Sequence, residues 1–135
     1  MKNDIQSRSD IQKLVTVFYE KLLQEEEFKS IFLEVAKIDV LVHLDIIIDF
    51  WESVLFQAGK YKRNLLEAHL NLNQKYNYGL TAQHFTDWLA IFNATVDELF
   101  EGDKAKGAKD RALSIATIIK LKIDYLEQQR LELNN

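Results

Sequence analysis

The chain has 135 residues, a net charge of −4, 47% hydrophobic and 11% aromatic residues, and neither proline nor cysteine. A chain of that size buries a real core, which excludes disorder, and the missing cysteine excludes disulfides, thiolate-held metals, iron–sulfur clusters and thioether-attached haem. With no basic block, no secretory-type apolar leader and no apolar run of bilayer length, nucleic acid and membrane are set aside as partners, and a cytoplasmic location is expected.

Ser9 followed by Gln12 reads as a capping box ahead of Ile11, Leu14, Val15, Phe18, Tyr19 and Leu22, whose spacing predicts a helix over roughly 10–24. After an acidic run, Phe28, Ile31, Phe32 and Val35 predict one or two further helical turns. Asp39 is placed as the cap of a second long helix, roughly 40–59, whose stripe runs through His43, Ile47, Phe50, Trp51 and Val54. Leu44, Ile46, Ile48 and Leu55 widen its apolar arc beyond one helix contact, so it lies between neighbours or against an apolar body that is not protein. Asp45 and Asp49 are assigned to the wet side.

A polar hinge, AGKYKRN, leads into a short helix bearing His69, and a polar loop is expected over 71–79. Thr81 caps a third long helix carrying Phe85, Trp88, Leu89, Phe92, Val96, Leu99 and Phe100, with Gly102 as its stop. The fourth, roughly 105–131, shows Ala112, Ile115, Ala116, Ile119, Ile123 and Leu126. No alternating segment competes, so the fold is read as all-α. Residues 1–135 form one domain, with 1–8 an N-terminal extension and 128–135 a C-terminal tail. His84, in the first turn of the third long helix, is expected near the surface.

Tyr19, His43 and Trp88 each put a polar tip on the apolar stripe of a different long helix, and His69 adds an imidazole among leucines. Each tip alone is met by a backbone carbonyl or a water. Zinc hydrolysis lacks its paired histidines, a di-iron bundle its Glu-x-x-His motifs, phosphate binding its glycine loop, and nucleophilic catalysis its elbow. A large flat cofactor held by one histidine, with a second histidine and two aromatic donors facing its other side, fits all four residues, and that describes a haem pocket.

The segments LVTVFYEKLL around Tyr19, SIF at Phe32, HLDIIIDFW from His43, AHLNL around His69 and HFTDWLAIF around Trp88 together resemble the truncated haemoglobins of group III, over about Ile11 to Tyr125. The resemblance implies a shortened globin, helices sandwiched two over two around non-covalent haem b. It makes His69 the proximal iron ligand, Tyr19 and His43 the distal pair, and Ile47 the apolar residue one turn beyond. Phe32 takes the haem edge and Trp88 the distal wall. Phe18 joins the distal pocket, Phe50 and Trp51 the cofactor contacts, and His43 is also a candidate sixth ligand. Ile46 stands where some related small globins place a basic residue, and the hinge before His69 lacks the glycine and proline of some relatives. Propionate contacts therefore fall to Tyr61, Lys62 or Arg63.

The implied function is binding of O2, CO or NO on ferrous iron, with hydrogen bonds from Tyr19 and Trp88 slowing O2 release. Two alternatives stay open. The same pocket could turn over peroxide, NO or nitrite with an external reductase, or the chain could be a cofactor-free helical interaction module.

Overall fold

The computed structural model describes residues 2–35, 37, 39–57, 65–75 and 80–133. Six α-helices and one π-helical segment account for most of them, and no strand occurs among the described residues.

Helix α1, Arg8–Gln24, starts two residues earlier than expected. Ser7, not Ser9, is the cap: it is extended, and its hydroxyl accepts from the Asp10 amide at 3.4 Å. The Asp10 carboxylate answers by accepting from the Gln6 amide at 2.8 Å. That reciprocal pair, with an acidic group in the first turn, satisfies donors that the helix cannot satisfy itself, and it leaves Ser9 inside the helix. The expected stripe from Ile11 to Leu22 is buried throughout.

Glu25 returns to an extended conformation, after which α2, Glu26–Lys29, passes directly into the π-helical segment Ser30–Val35. Asp39 caps α3, Val40–Phe56, by accepting from the Leu41 and Val42 amides at 3.1 and 3.3 Å. The helix ends short of Gly59, because Gln57 adopts the left-handed conformation. Asp49 is not simply on the wet side: Arg8 pairs with it at 2.8 Å and with buried Glu52 at 3.2 Å, tying the start of α1 to α3.

Helix α4, Leu65–Lys75, carries His69 and takes in half of the segment expected as loop. Thr81 caps α5, Ala82–Leu99, as expected, but the helix ends before Gly102 because Phe100 turns extended and buries its ring. Gly102 instead shapes the entrance to α6, Asp103–Leu133, with φ +145°. The first amides of α6 are capped from the other end of the chain: the Asp4 carboxylate accepts from Lys104 at 3.0 Å and Ala105 at 2.9 Å.

Helix α1 packs against α3 and α5, and α6 lies along α5, with α4 reaching α6. Ala105, Ala108 and Ala112 are buried along α6, and such small side chains let the α5 backbone approach closely. The centre of the core is aromatic. Phe92 is fully buried, stacked on Trp51 at 4.9 Å and 18° and meeting Phe18 edge to face at 5.1 Å and 89°. Burying each such ring contributes about 1.5–3 kcal/mol, so this cluster sets the mutual positions of α1, α3 and α5.

Candidate functional site

Beside that cluster the helices part around a cavity of about 570 Å³, within the roughly 300–1,000 Å³ typical of small-molecule and cofactor sites. It brings together the expected site residues that the structure describes. Helix α1 contributes Phe18 and Tyr19, and the π segment contributes Phe32. His43, Ile47, Phe50 and Trp51 come from α3, His69 from α4 and Trp88 from α5. Tyr61, Lys62 and Arg63, the expected propionate contacts, lie outside the described residues. Ile46 also faces the cavity, keeping that part of the wall apolar.

Tyr19 is buried, and its hydroxyl lies 3.0 Å from His43 Nε2. Its ring meets Phe32 at 5.6 Å and the His43 ring at 5.3 Å, both edge to face, which leaves little rotational freedom. Burial raises the pKa of the phenol, so the hydroxyl keeps its proton. The same cause, with a smaller contribution from nearby His69, pushes the His43 imidazole down to about 4. At neutral pH the pair is therefore an uncharged phenol beside an uncharged imidazole.

Trp88 stacks on Phe92 at 5.7 Å and 9° and meets Phe18 edge to face at 5.5 Å, so the aromatic core fixes its indole at the cavity wall. His69 is half-buried on α4. One turn further on, buried Asn73 accepts from the Leu80 amide at 3.1 Å through its side-chain oxygen. That bond fastens the end of this helix to the segment leading into α5. Among the described residues no three His, Asp or Glu side chains converge as a metal site.

His84 departs from expectation. It is buried, with only 7% of its side chain exposed, and it too lines the cavity. Its Nδ1 accepts from the Thr81 amide at 2.8 Å and its Nε2 pairs with Glu27 of α2. Helix α6 contributes Ile115, Ala116 and Ile119 to the wall, residues that the sequence marks only as core stripe.

An all-α sandwich that encloses an apolar cavity, with imidazoles arriving from three different helices, has the layout of a globin-type fold. No family model matches the chain. It is 25% identical over 120 residues to the group 3 truncated hemoglobin ctb of Campylobacter jejuni, covering 87% of this chain and 91% of that protein. The crystal structure of a group III truncated hemoglobin from Campylobacter jejuni superposes with a TM-score of 0.78, at 25% identity, covering 91% of this chain and 95% of that one. The chain has the truncated-globin fold, and its relatives in both sequence and structure are group III truncated haemoglobins, as the resemblance around Tyr19, His43, His69 and Trp88 implies. No helix among the described residues is long and apolar enough to cross a membrane.

Proposed function

We propose that the chain holds non-covalent haem b in this cavity and binds O2, with CO and NO as further ligands, at the iron. The residues present fit the group. The cavity is wide and mostly apolar, its walls offer flat aromatic surfaces, and His69 supplies one imidazole nitrogen at a place where, among the described residues, no cluster of protein ligands gathers. A fully packed helical interaction module would leave no such space.

Haem supplies a ferrous iron with a coordination position for a diatomic gas. His69 is the residue to hold that iron, on the helix whose end the Asn73–Leu80 bond fastens. The observation that carries the reading is the Tyr19–His43 contact at 3.0 Å on the cavity wall. With the ring proton on Nε2, His43 donates to the Tyr19 oxygen, and the tyrosine proton is free to point into the cavity. In the other tautomer the tyrosine donates to His43 and offers the cavity only a lone pair. A polar gas ligand selects the first arrangement and receives a hydrogen bond from Tyr19, with the Trp88 indole as second donor. Ile47, Phe18 and Phe32 keep water from the site.

The test is the absorption spectrum of protein supplied with haem, as isolated, reduced, and reduced under CO. A strong Soret band that His69→Ala abolishes, with helical circular dichroism unchanged, is the expected result. A normally folded parent protein with no Soret band would defeat the proposal.

A further inference from the structure

The wall of the cavity formed by Phe28, Ile31 and Phe32 rests on an unusual support. These residues belong to α2, a single turn, and to the π-helical segment that continues it. A π-helical turn is intrinsically less favourable than an α-helical one, so its position depends on what grips its flanks. On one side α2 packs against α1. On the other, the Glu27 carboxylate meets Nε2 of His84 at the start of α5, and the Phe28 ring lies edge-on to the same imidazole with centroids 6.2 Å apart.

The His84 ring is oriented from behind. The Thr81 amide donates to Nδ1 at 2.8 Å, so this nitrogen presents its lone pair and the ring proton sits on Nε2, the atom that lies against the Glu27 carboxylate. In turn the Thr81 hydroxyl accepts from the His84 amide at 3.4 Å, a capping box in which histidine takes the place of the usual Glu or Gln. A glutamine there would serve the cap equally well. The imidazole adds a second nitrogen on the far side of the ring from the cap, and the Glu27 carboxylate lies against it.

We propose that His84 is a positioning residue: it straps Glu27 of α2 to the capped start of α5, holds the Phe28–Ile31–Phe32 wall against the cavity, and thereby limits the access of small ligands. The ligand-access part rests on the gas-binding reading above. Glu27 does not line the cavity, so replacing it disturbs the strap without touching the site.

The experiment measures amide exchange across residues 26–35 by mass spectrometry, together with the CO association rate of the reduced, haem-loaded protein. Glu27→Ala should raise both by about two- to fivefold, the factor that losing one half-exposed contact between a carboxylate and an imidazole N–H carries. Glu27→Gln keeps an acceptor oxygen and should restore both. His84→Gln keeps the cap but loses the strap, so its exchange should match that of Glu27→Ala, and the double variant should add nothing further. Unchanged exchange in Glu27→Ala would overturn the strap. Faster exchange with unchanged CO association would overturn its control of access. A parent protein that takes up no haem would defeat the reading of the site instead, and exchange alone would then decide the strap.

Discussion

Replacing Tyr19 with phenylalanine isolates the contribution of one hydroxyl at the centre of the proposed site. Phenylalanine keeps the edge-to-face contacts with Phe18 at 5.3 Å, Phe32 at 5.6 Å and His43 at 5.3 Å, so packing changes little. What disappears is the hydroxyl 3.0 Å from His43 Nε2. In the ligand-free protein, leaving that nitrogen without its partner costs about 1–3 kcal/mol, less if water enters. In the O2-bound protein a donor to a partly charged oxygen is lost as well, again worth about 1.5–3 kcal/mol, or about 10- to 100-fold in dissociation rate. Stopped-flow displacement of O2 by excess CO measures that rate. CO is a poor hydrogen-bond acceptor and serves as the control: its own dissociation should change by less than about threefold, because the apolar walls remain. An unaltered O2 dissociation rate would remove Tyr19 from the account. An equal acceleration of O2 and CO release would show that the pocket had merely loosened.

Two further predictions concern the junction that holds α6. A Cβ at Gly102 would lie 2.5 Å from the Asp4 Cγ, on a backbone at φ +145°. Gly102→Ala should therefore cost about 2–4 kcal/mol in urea unfolding through strain and a displaced cap, and a variant as stable as the parent would mean that Asp4 is not seated there. Burial alone would raise the Asp4 pKa, but hydrogen bonds from the Lys104, Ala105 and Ile5 amides outweigh it and hold the carboxyl below its ordinary value of 3.8. The folded form thus binds the proton less readily than the unfolded form, so this stabilisation is present above pH 3.8 and is lost as the pH falls through the lowered folded value. Asp4→Asn should flatten the acid limb of the stability profile, and an identical profile in urea melts at descending pH would refute the assignment.

The parts of this architecture that could be read from sequence are those governed by near neighbours. The stripe from Ile11 to Leu22, the cap at Asp39 and the cap at Thr81 each depend on residues within a turn or two, and each occurs as expected. Errors arise where a local signal has two solutions or a distant segment decides. Ser7 and Ser9 could both cap a helix, and the reciprocal Gln6–Asp10 bond selects Ser7. His84 looks like a surface residue from its place in a first helical turn, and only the arrival of Glu27 and Phe28, more than fifty positions earlier, buries it. The pairing of Asp4 with the start of α6 spans the chain and leaves no periodic trace.

The cavity itself was legible as an excess. Helix α3 carries more apolar positions than its packing against α1 and α6 consumes, and the surplus, Ile46, Ile47 and Phe50, remains half-buried along the cavity wall. Side chains in that state gain only part of the dispersion energy of a close-packed interior, because one side of each faces no protein atoms. A sequence that keeps them apolar instead of replacing them with charge is built for something else to complete the packing. The proposed flat cofactor would supply the missing contacts in the folded state and has no comparable site in the unfolded chain, so its binding and the stability of the helices around it would be coupled. Among the polar residues in that wall, Tyr19, His43, His69 and Trp88 would, on the proposed reading, be the ones that distinguish what the cofactor binds from the apolar matter around it.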